Sequence, residues 1–380
     1  MSPQLQCLLQ LLLAGTPILL HAQGCVAIRS FTSCNPNSFT NSNLVGKGWQ
    51  VSTSYRYFES HRHFNGQEEQ VHRNEQKTQV FNWSNQLNAA FTYNADKRQG
   101  ITLVIPWTYN TRSSLYEHGG RSRQSTRSVG IGDIRVQYNR WLWHPDSAGR
   151  GNLMVSAGVK LPTGDFRAMD FFYSEGTDTV PNTGANPWGQ YQPVDQSIQL
   201  GDGGLGFTLE FQAYAKLFGN LFGYLNGFYL LNPMETNGTL TNRSRVNEMV
   251  CSVPDQYMAR AGLNYTVAKK QGLNLFCGGR LEGIPAKDLV GGSAGFRRPG
   301  YVISVEPGVD WMRGRHDINV NLPVALVRNR TQSMPDIERS AETGTFVRGY
   351  AAFADQVLNI TWSVMFGRSK SEPTASSATP

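Results

Sequence analysis

The chain reads as all-β: a transmembrane antiparallel β-barrel of about twelve strands, with short turns at one end and long loops at the other. Three observations predict it. Polarity alternates with a period of two through most of the chain, the alternating segments are long, and their connections alternate between short and long. Composition agrees: the 380 residues are 39% hydrophobic and 17% charged, with 39 Gly, 19 Phe, 15 Tyr and 8 Trp. That charge is below the roughly one quarter usual for soluble domains. A mean hydropathy of −0.38, with no long apolar run after the N-terminus, argues against membrane-spanning helices. A barrel hides its membrane signal in alternate residues.

Residues 1–23 read as a secretory signal peptide: the stretch from Leu8 to Leu20 is largely apolar, and His21-Ala22-Gln23 offers a cleavage site before Gly24. Its first six residues carry no Lys or Arg, which departs from the usual pattern. Residues 24–48 form a polar lead-in, in which Cys25 and Cys34 are close enough to close a small disulfide loop in an oxidising compartment. Cys251 and Cys277 fall in a loop and in a strand interior, a placement that disfavours their pairing.

The strands follow in order: 49–58, 83–93, 101–111, 129–140, 152–161, 203–217, 221–231, 255–267, 273–284, 300–312, 316–328 and 356–366. The clearest alternation puts Tyr301, Ile303, Val305, Val309 and Trp311 on one face, with Ser304, Glu306, Gly308 and Asp310 on the other. A helix would scatter both sets around its circumference. A tilted strand crosses a bilayer in roughly 9–11 residues, whereas soluble strands average about 5–6. The connections 94–100, 144–151, 219–220, 268–272 and 313–315 are short; 59–82, 112–128, 162–202, 232–254, 285–299 and 329–355 are long. An even strand number with this asymmetry is the layout of outer-membrane barrels of Gram-negative cells. Aromatic residues cluster at strand ends, as interfacial girdles require: Trp49, Tyr93, Trp143, Tyr265 and Phe366 at the short-turn rim, Tyr57, Trp83, Trp107 and Tyr301 at the other. After Phe366 a polar tail, 367–380, closes the chain.

Parity assigns a set of charged residues to the interior: Arg56, Arg135, Lys160, Glu210, Arg260, Arg280, Glu282, Glu306 and Asp310. Their mixed signs suit either ion pairs that stabilise the wall or a polar lining that selects a passing solute. Pro106, Pro307 and Pro323 interrupt strands, and kinks or bulges are expected there. At Gly132-Asp133 the apolar face changes parity, the signature of one extra residue; Asp133 is read as part of a bulge. The longest loop, 162–202, carries Phe171, Phe172, Tyr173 and Trp188 among Gly, Pro and Asn, candidates for a constriction at the mouth.

The net charge of +7 comes from scattered Lys and Arg with basic patches confined to loops, so a lipopolysaccharide-facing surface is the economical account, and a nucleic-acid partner is not expected. The one Gly-x-Ser-x-Gly run, Gly291–Gly295, falls in the predicted loop 285–299 and not on a strand-to-helix turn, and no Walker loop or Cys/His ligand cluster occurs, so neither an enzyme nor a cofactor or metal site is expected.

Three stretches, residues 129–134 (VGIGDI), 159–165 (VKLPTGD) and 353–359 (FADQVLN), resemble the MetA-pathway-of-phenol-degradation family of outer-membrane transporters. The resemblance implies a channel in the outer membrane that passes small, hydrophobic or aromatic molecules by diffusion. Its partners would be outer-membrane lipid and lipopolysaccharide, the solute, and the barrel-assembly machinery. The alternative reading is a barrel that transports nothing and serves a structural or surface-binding role, its lumen plugged by side chains and by 24–48.

Overall fold

The structure is a computed structural model that describes residues 47–118, 122–173, 189–241 and 243–367. The signal peptide, the Cys25 and Cys34 lead-in, Trp188 and the tail from 368 lie outside the described residues.

Twelve strands form one closed barrel: β1 (Gly48–Ser60), β2 (Phe81–Asn94), β3 (Gln99–Ser114), β4 in two pieces (Gln124–Ile131 and Arg135–Trp141), β5 (Gly151–Lys160), β6 (Gly206–Phe218), β7 (Leu221–Leu231), β8 (Gln256–Ala268), β9 (Leu273–Ile284), β10 (Gly300–Arg313), β11 in two pieces (His316–Asn321 and Val324–Arg330) and β12 (Leu358–Gly367). Each pairs antiparallel with its chain neighbour, and β1 pairs with β12 from Gly48↔Gly367 to Tyr57↔Leu358. Closure satisfies backbone groups that lipid cannot. Turns at one rim are tight: Gly219, with φ 51°, and Gly314, with φ 61°, adopt the left-handed conformation that a two-residue reversal needs. Among the described residues no helix is long and apolar enough to cross a membrane.

The outer surface shows the predicted alternation. In β6, Phe207, Leu209 and Phe211 are exposed, while Thr208, Glu210 and Gln212 between them are buried in the interior. Trp49 lies tilted against Tyr93 across the β1–β2 pair at 5.0 Å, and Trp49, Trp143, Tyr265 and Phe366 stay exposed at the short-turn rim.

Strands reach further toward the long loops than the sequence pattern predicts. β3 runs on to Ser114 and β4 begins at Gln124 rather than at 129. Ladder bonds continue there after the apolar alternation has ended, because the barrel rises above the apolar belt.

The expected irregularities have distinct geometries. β3 pairs Trp107 with Ile131 and then Val104 with Arg135, three steps against four, so one extra residue is inserted in β4 at 132–134. Pro106 sits at this point, its carbonyl accepting from the Gly132 N–H at 2.8 Å. Pro307 keeps its register with β9, so no bulge forms there. Instead β11 breaks at Leu322 and Pro323 opposite it, and the Leu322 N–H reaches the Pro307 carbonyl at 3.0 Å.

Loop elements crown the long-loop end: a small sheet of Arg62–Asn65, Glu68–Glu69 and Ala351–Phe353, hairpins Met169–Tyr173/Gly189–Pro193 and Thr236–Leu240/Val250–Ser252, and a helix, Met334–Thr343. The helix starts at a Ser333/Asp336 capping box.

Candidate functional site: a partitioned lumen

Side chains divide the interior into levels. At mid-height a charged belt crosses one side of the lumen. Arg260 Nη1 donates to Glu306 Oε1 at 3.0 Å, Arg280 Nη2 to Glu282 Oε2 at 2.7 Å, and Arg56 Nη2 to the same oxygen at 3.5 Å. All five groups are nearly inaccessible, so each charge depends on its partners. A small gap remains between the belt and the facing wall of Ser54, Asn88, Asn321 and Asn359. Toward the short-turn rim the lining becomes amide and hydroxyl: Asn274 donates to Asp310, and Ser52 to Ser363.

Above the belt lies an inner chamber lined by Phe58, Val104, Pro106, Leu200 and Ile284 together with Gln86, Asn88, Asn110 and Arg135. Arg135 pairs there with Glu210 at 3.2 Å and stands 5.6 Å from the Phe228 ring. Apolar walls with a few polar groups suit a small organic solute.

The chamber is roofed by the end of the longest loop. Beyond Lys160 no barrel strand pairs with the outer half of β4 among the described residues, and the loop covers that edge: the Arg127 N–H donates to Asp170 Oδ2 at 2.7 Å. Asp133, in the bulge, fastens both ends of the loop, accepting from the Gly164 N–H at 3.0 Å and from the Asp202 N–H at 3.1 Å. Lys160 pairs with Asp133 and Asp202. Between these anchors, residues 194–200 enter the lumen as a 3-10 turn, Gln196–Ile198, capped by Asp195. Gln196 Nε2 reaches the Ser252 carbonyl at 2.9 Å and the Phe296 carbonyl at 3.2 Å on the opposite side.

Above this roof an outer vestibule is lined by His63, Arg73, Arg112, Glu117, Phe172, Asp195, Arg243, Phe296, Arg298 and Tyr350. Gln196, Cys251 and Arg298 line both the vestibule and the inner chamber, so the 194–200 segment is a partition between two adjoining spaces. Arg298 grips Asp195 with both terminal nitrogens, at 2.8 and 2.7 Å, and Arg112 stands 3.7 Å away. Burial alone would raise the Asp195 pKa, but these two guanidiniums hold it well below the usual carboxylate range. His63, whose Nε2 accepts from the Val80 N–H at 2.9 Å, is pushed down to about 3 by burial and by Arg73, Arg112 and Arg298.

All nine charged residues selected by strand parity are buried in the interior: Arg56, Arg260, Arg280, Glu282 and Glu306 in the belt, Asp310 below it, Arg135 in the chamber wall with Glu210 paired to it, and Lys160 in the loop anchor, paired with Asp133 and Asp202 of the chamber lining. The aromatic cluster of the long loop is split. Phe171 packs against Tyr173 and Tyr191 in the hairpin, Phe172 alone lines the vestibule, stacked on His118, and Trp188 lies outside the described residues. The partition is formed by Asp195, Gln196 and Ser197, whose polar run resembles any solvent loop in sequence. Arg112 continues the inward parity of β3 and was legible in principle; Arg298, in a loop, was not. The apolar interior residues Phe228, Leu230 and Met258, which pack together, also escape a search for polar lining. No group of three or more His, Cys, Asp or Glu able to hold a metal occurs among the described residues. Cys251 is buried, and Cys277 is an exposed thiol.

No family model matches the chain, and no curated protein matches it. Solved structures do. The COG4313 outer membrane channel from Pseudomonas putida F1 superposes with a TM-score of 0.52 at 13% identity, over 85% of this chain and 97% of that one. The Pseudomonas putida toluene transporter TodX gives a TM-score of 0.42 at 9% identity over 90% and 96% of the two chains. The translocator domain of the autotransporter NalP from Neisseria meningitidis gives 0.42 at 11% identity over 86% and 91%. The first likeness establishes the fold, a twelve-stranded β-barrel of the outer-membrane type.

Proposed function

We propose that the protein sits in the outer membrane and passes small hydrophobic or aromatic molecules by diffusion through the barrel. One observation carries this reading: the vestibule and the inner chamber are neighbouring spaces with the 194–200 segment between them, held at its tip by the Gln196 side chain. The segment is held by hydrogen bonds, by Arg298 and Arg112 on Asp195 and by a small apolar cluster of Val194 and Ile198 with Ala168, and no strand ladder fixes it, so it moves at lower cost than a barrel strand. The chamber's mixture of Val104, Pro106, Leu200 and amides fits an aromatic solute. Solute, outer-membrane lipid along the apolar belt, lipopolysaccharide at the basic loops and the assembly machinery are the partners this reading requires.

The charged belt favours a second reading, a barrel that is plugged and structural, because Arg56, Arg260, Arg280, Glu282 and Glu306 occupy the middle of the lumen. Swelling of proteoliposomes in sugars of graded size separates the two. Swelling in the smallest sugars, lost as size increases, is the expected outcome for a channel. Folded protein that leaves the liposomes impermeable to all of them would favour the plug.

A further inference from the structure

The vestibule is lined by four guanidiniums, Arg73, Arg112, Arg243 and Arg298, against two carboxylates, Glu117 and Asp195. Arg112 also pairs with Glu117 at 2.6 Å and Arg243 with Glu248, outside the lining, at 3.1 Å, so Arg73 carries the excess positive charge of the space. Arg73 lies 3.8 Å over the Tyr350 ring, and Arg243 lies 4.0 Å over the Phe296 ring; both rings form vestibule wall. Cations on aromatic faces inside a concave space attract an anion and leave apolar surface beside it. The strongest attachment in that space, Arg298 to Asp195, belongs to the partition itself and is a bidentate guanidinium–carboxylate pair.

We propose that the vestibule is a binding site for aromatic carboxylates, and that the ligand's carboxylate takes the place of Asp195 on Arg298 and Arg112, thereby releasing the partition. Asp195 is the internal stand-in for the ligand. Its Oδ1 also accepts from the Ser197 N–H at 2.9 Å and from Ser197 Oγ at 2.7 Å, so the freed carboxylate keeps partners and the exchange does not strand a charge. The Tyr350 ring, exposed in the vestibule wall, offers apolar surface for the ligand's ring. The inference rests on the channel reading, for which it names the solute class and the gate.

Benzoate and its neutral analogue benzyl alcohol test it, with calorimetric binding to the refolded full chain in detergent and single-channel recording in planar bilayers. Benzoate should bind at least tenfold more tightly than benzyl alcohol. Arg298→Gln should weaken benzoate roughly tenfold, with Arg298→Lys recovering part of it. Asp195→Asn removes the internal competitor, so it should bind benzoate more tightly than the parent protein and open without ligand. A misfolded variant cannot produce that gain. Equal binding of the two solutes, or tighter benzoate binding that Asp195→Asn fails to produce, would overturn the proposal even where the barrel conducts. Benzoate binding with the predicted variant pattern in a barrel that never conducts would instead sustain the site and sink the channel reading.

Discussion

At the scale of single residues, the interior is governed by charges that have lost their water. Arg135 and Glu210 form a pair whose side chains are only 3% and 2% exposed. Removing one partner leaves the other buried and uncompensated, which typically costs about 3–5 kcal/mol, whereas replacing both by apolar groups is often close to neutral. Arg135→Met should therefore lower the unfolding free energy in urea by about 3 kcal/mol, and Arg135→Met/Glu210→Met should recover most of it. Losses that simply add in the double variant would show that the pair is not a unit. His63 makes a pH prediction. It faces Arg73, Arg112, Arg298 and His61, with the Tyr350 ring at 5.7 Å, and its pKa is depressed to about 3. A base with a depressed folded pKa supports the folded state fully above its unfolded value, near 6.5, and loses that contribution as pH falls toward the folded one. Hydrogen-exchange protection factors of the crowning sheet, with the intrinsic pH dependence of exchange divided out, should thus fall as pH drops from about 6.5 to 4, and His63→Gln should flatten the dependence. Asp195 adds nothing in that window, since its own depressed pKa confines its loss to more acidic solution.

At the scale of elements, the bulge in β4 and the longest loop form one device. The parity change at Gly132-Asp133 was legible from the sequence because apolar residues report directly on which face they occupy. That Asp133 would hold both ends of a loop whose bases lie 38 positions apart, at Gly164 and Asp202, was not legible, since backbone N–H donors leave no trace in residue type. Gly164 and Gly201 meet beside it, and a Cβ on Gly201 would stand 2.8 Å from the Gly164 carbonyl oxygen. Gly201→Ala should loosen the loop base without disturbing the barrel. We expect faster proteolysis within 162–202 while the folded barrel still migrates as a heat-modifiable species; unchanged cleavage would show that the close approach is not tight. The prolines follow similar logic. Pro323 marked a break in β11, but only the register shows that the break lies opposite Pro307, where a ladder donor is missing on both strands.

At the scale of the whole molecule, strand number, neighbour order and closure were all readable, because period-two alternation and loop asymmetry are imposed by the membrane on every strand. The crowning loops obey no such constraint. The helix Met334–Thr343 is held by polar contacts to its flanking residues, and the hairpins and the partition by contacts between segments distant in sequence, and sequence periodicity carries little of that information. The aromatic residues of the long loop drew attention in the sequence, yet the segment that enters the lumen is the polar run after them. A barrel with two stacked spaces and one loop partition is, on this account, a channel that is narrow at rest and opened by movement of 194–200. Single-channel conductance of the refolded protein in planar bilayers, with and without an aromatic solute, tests that most directly. The account predicts small discrete steps whose open time changes when solute is added, and larger steps when Gln196→Ala removes the tie to Ser252 and Phe296. A folded barrel showing no steps in either protein would contradict it and leave a plugged structural barrel.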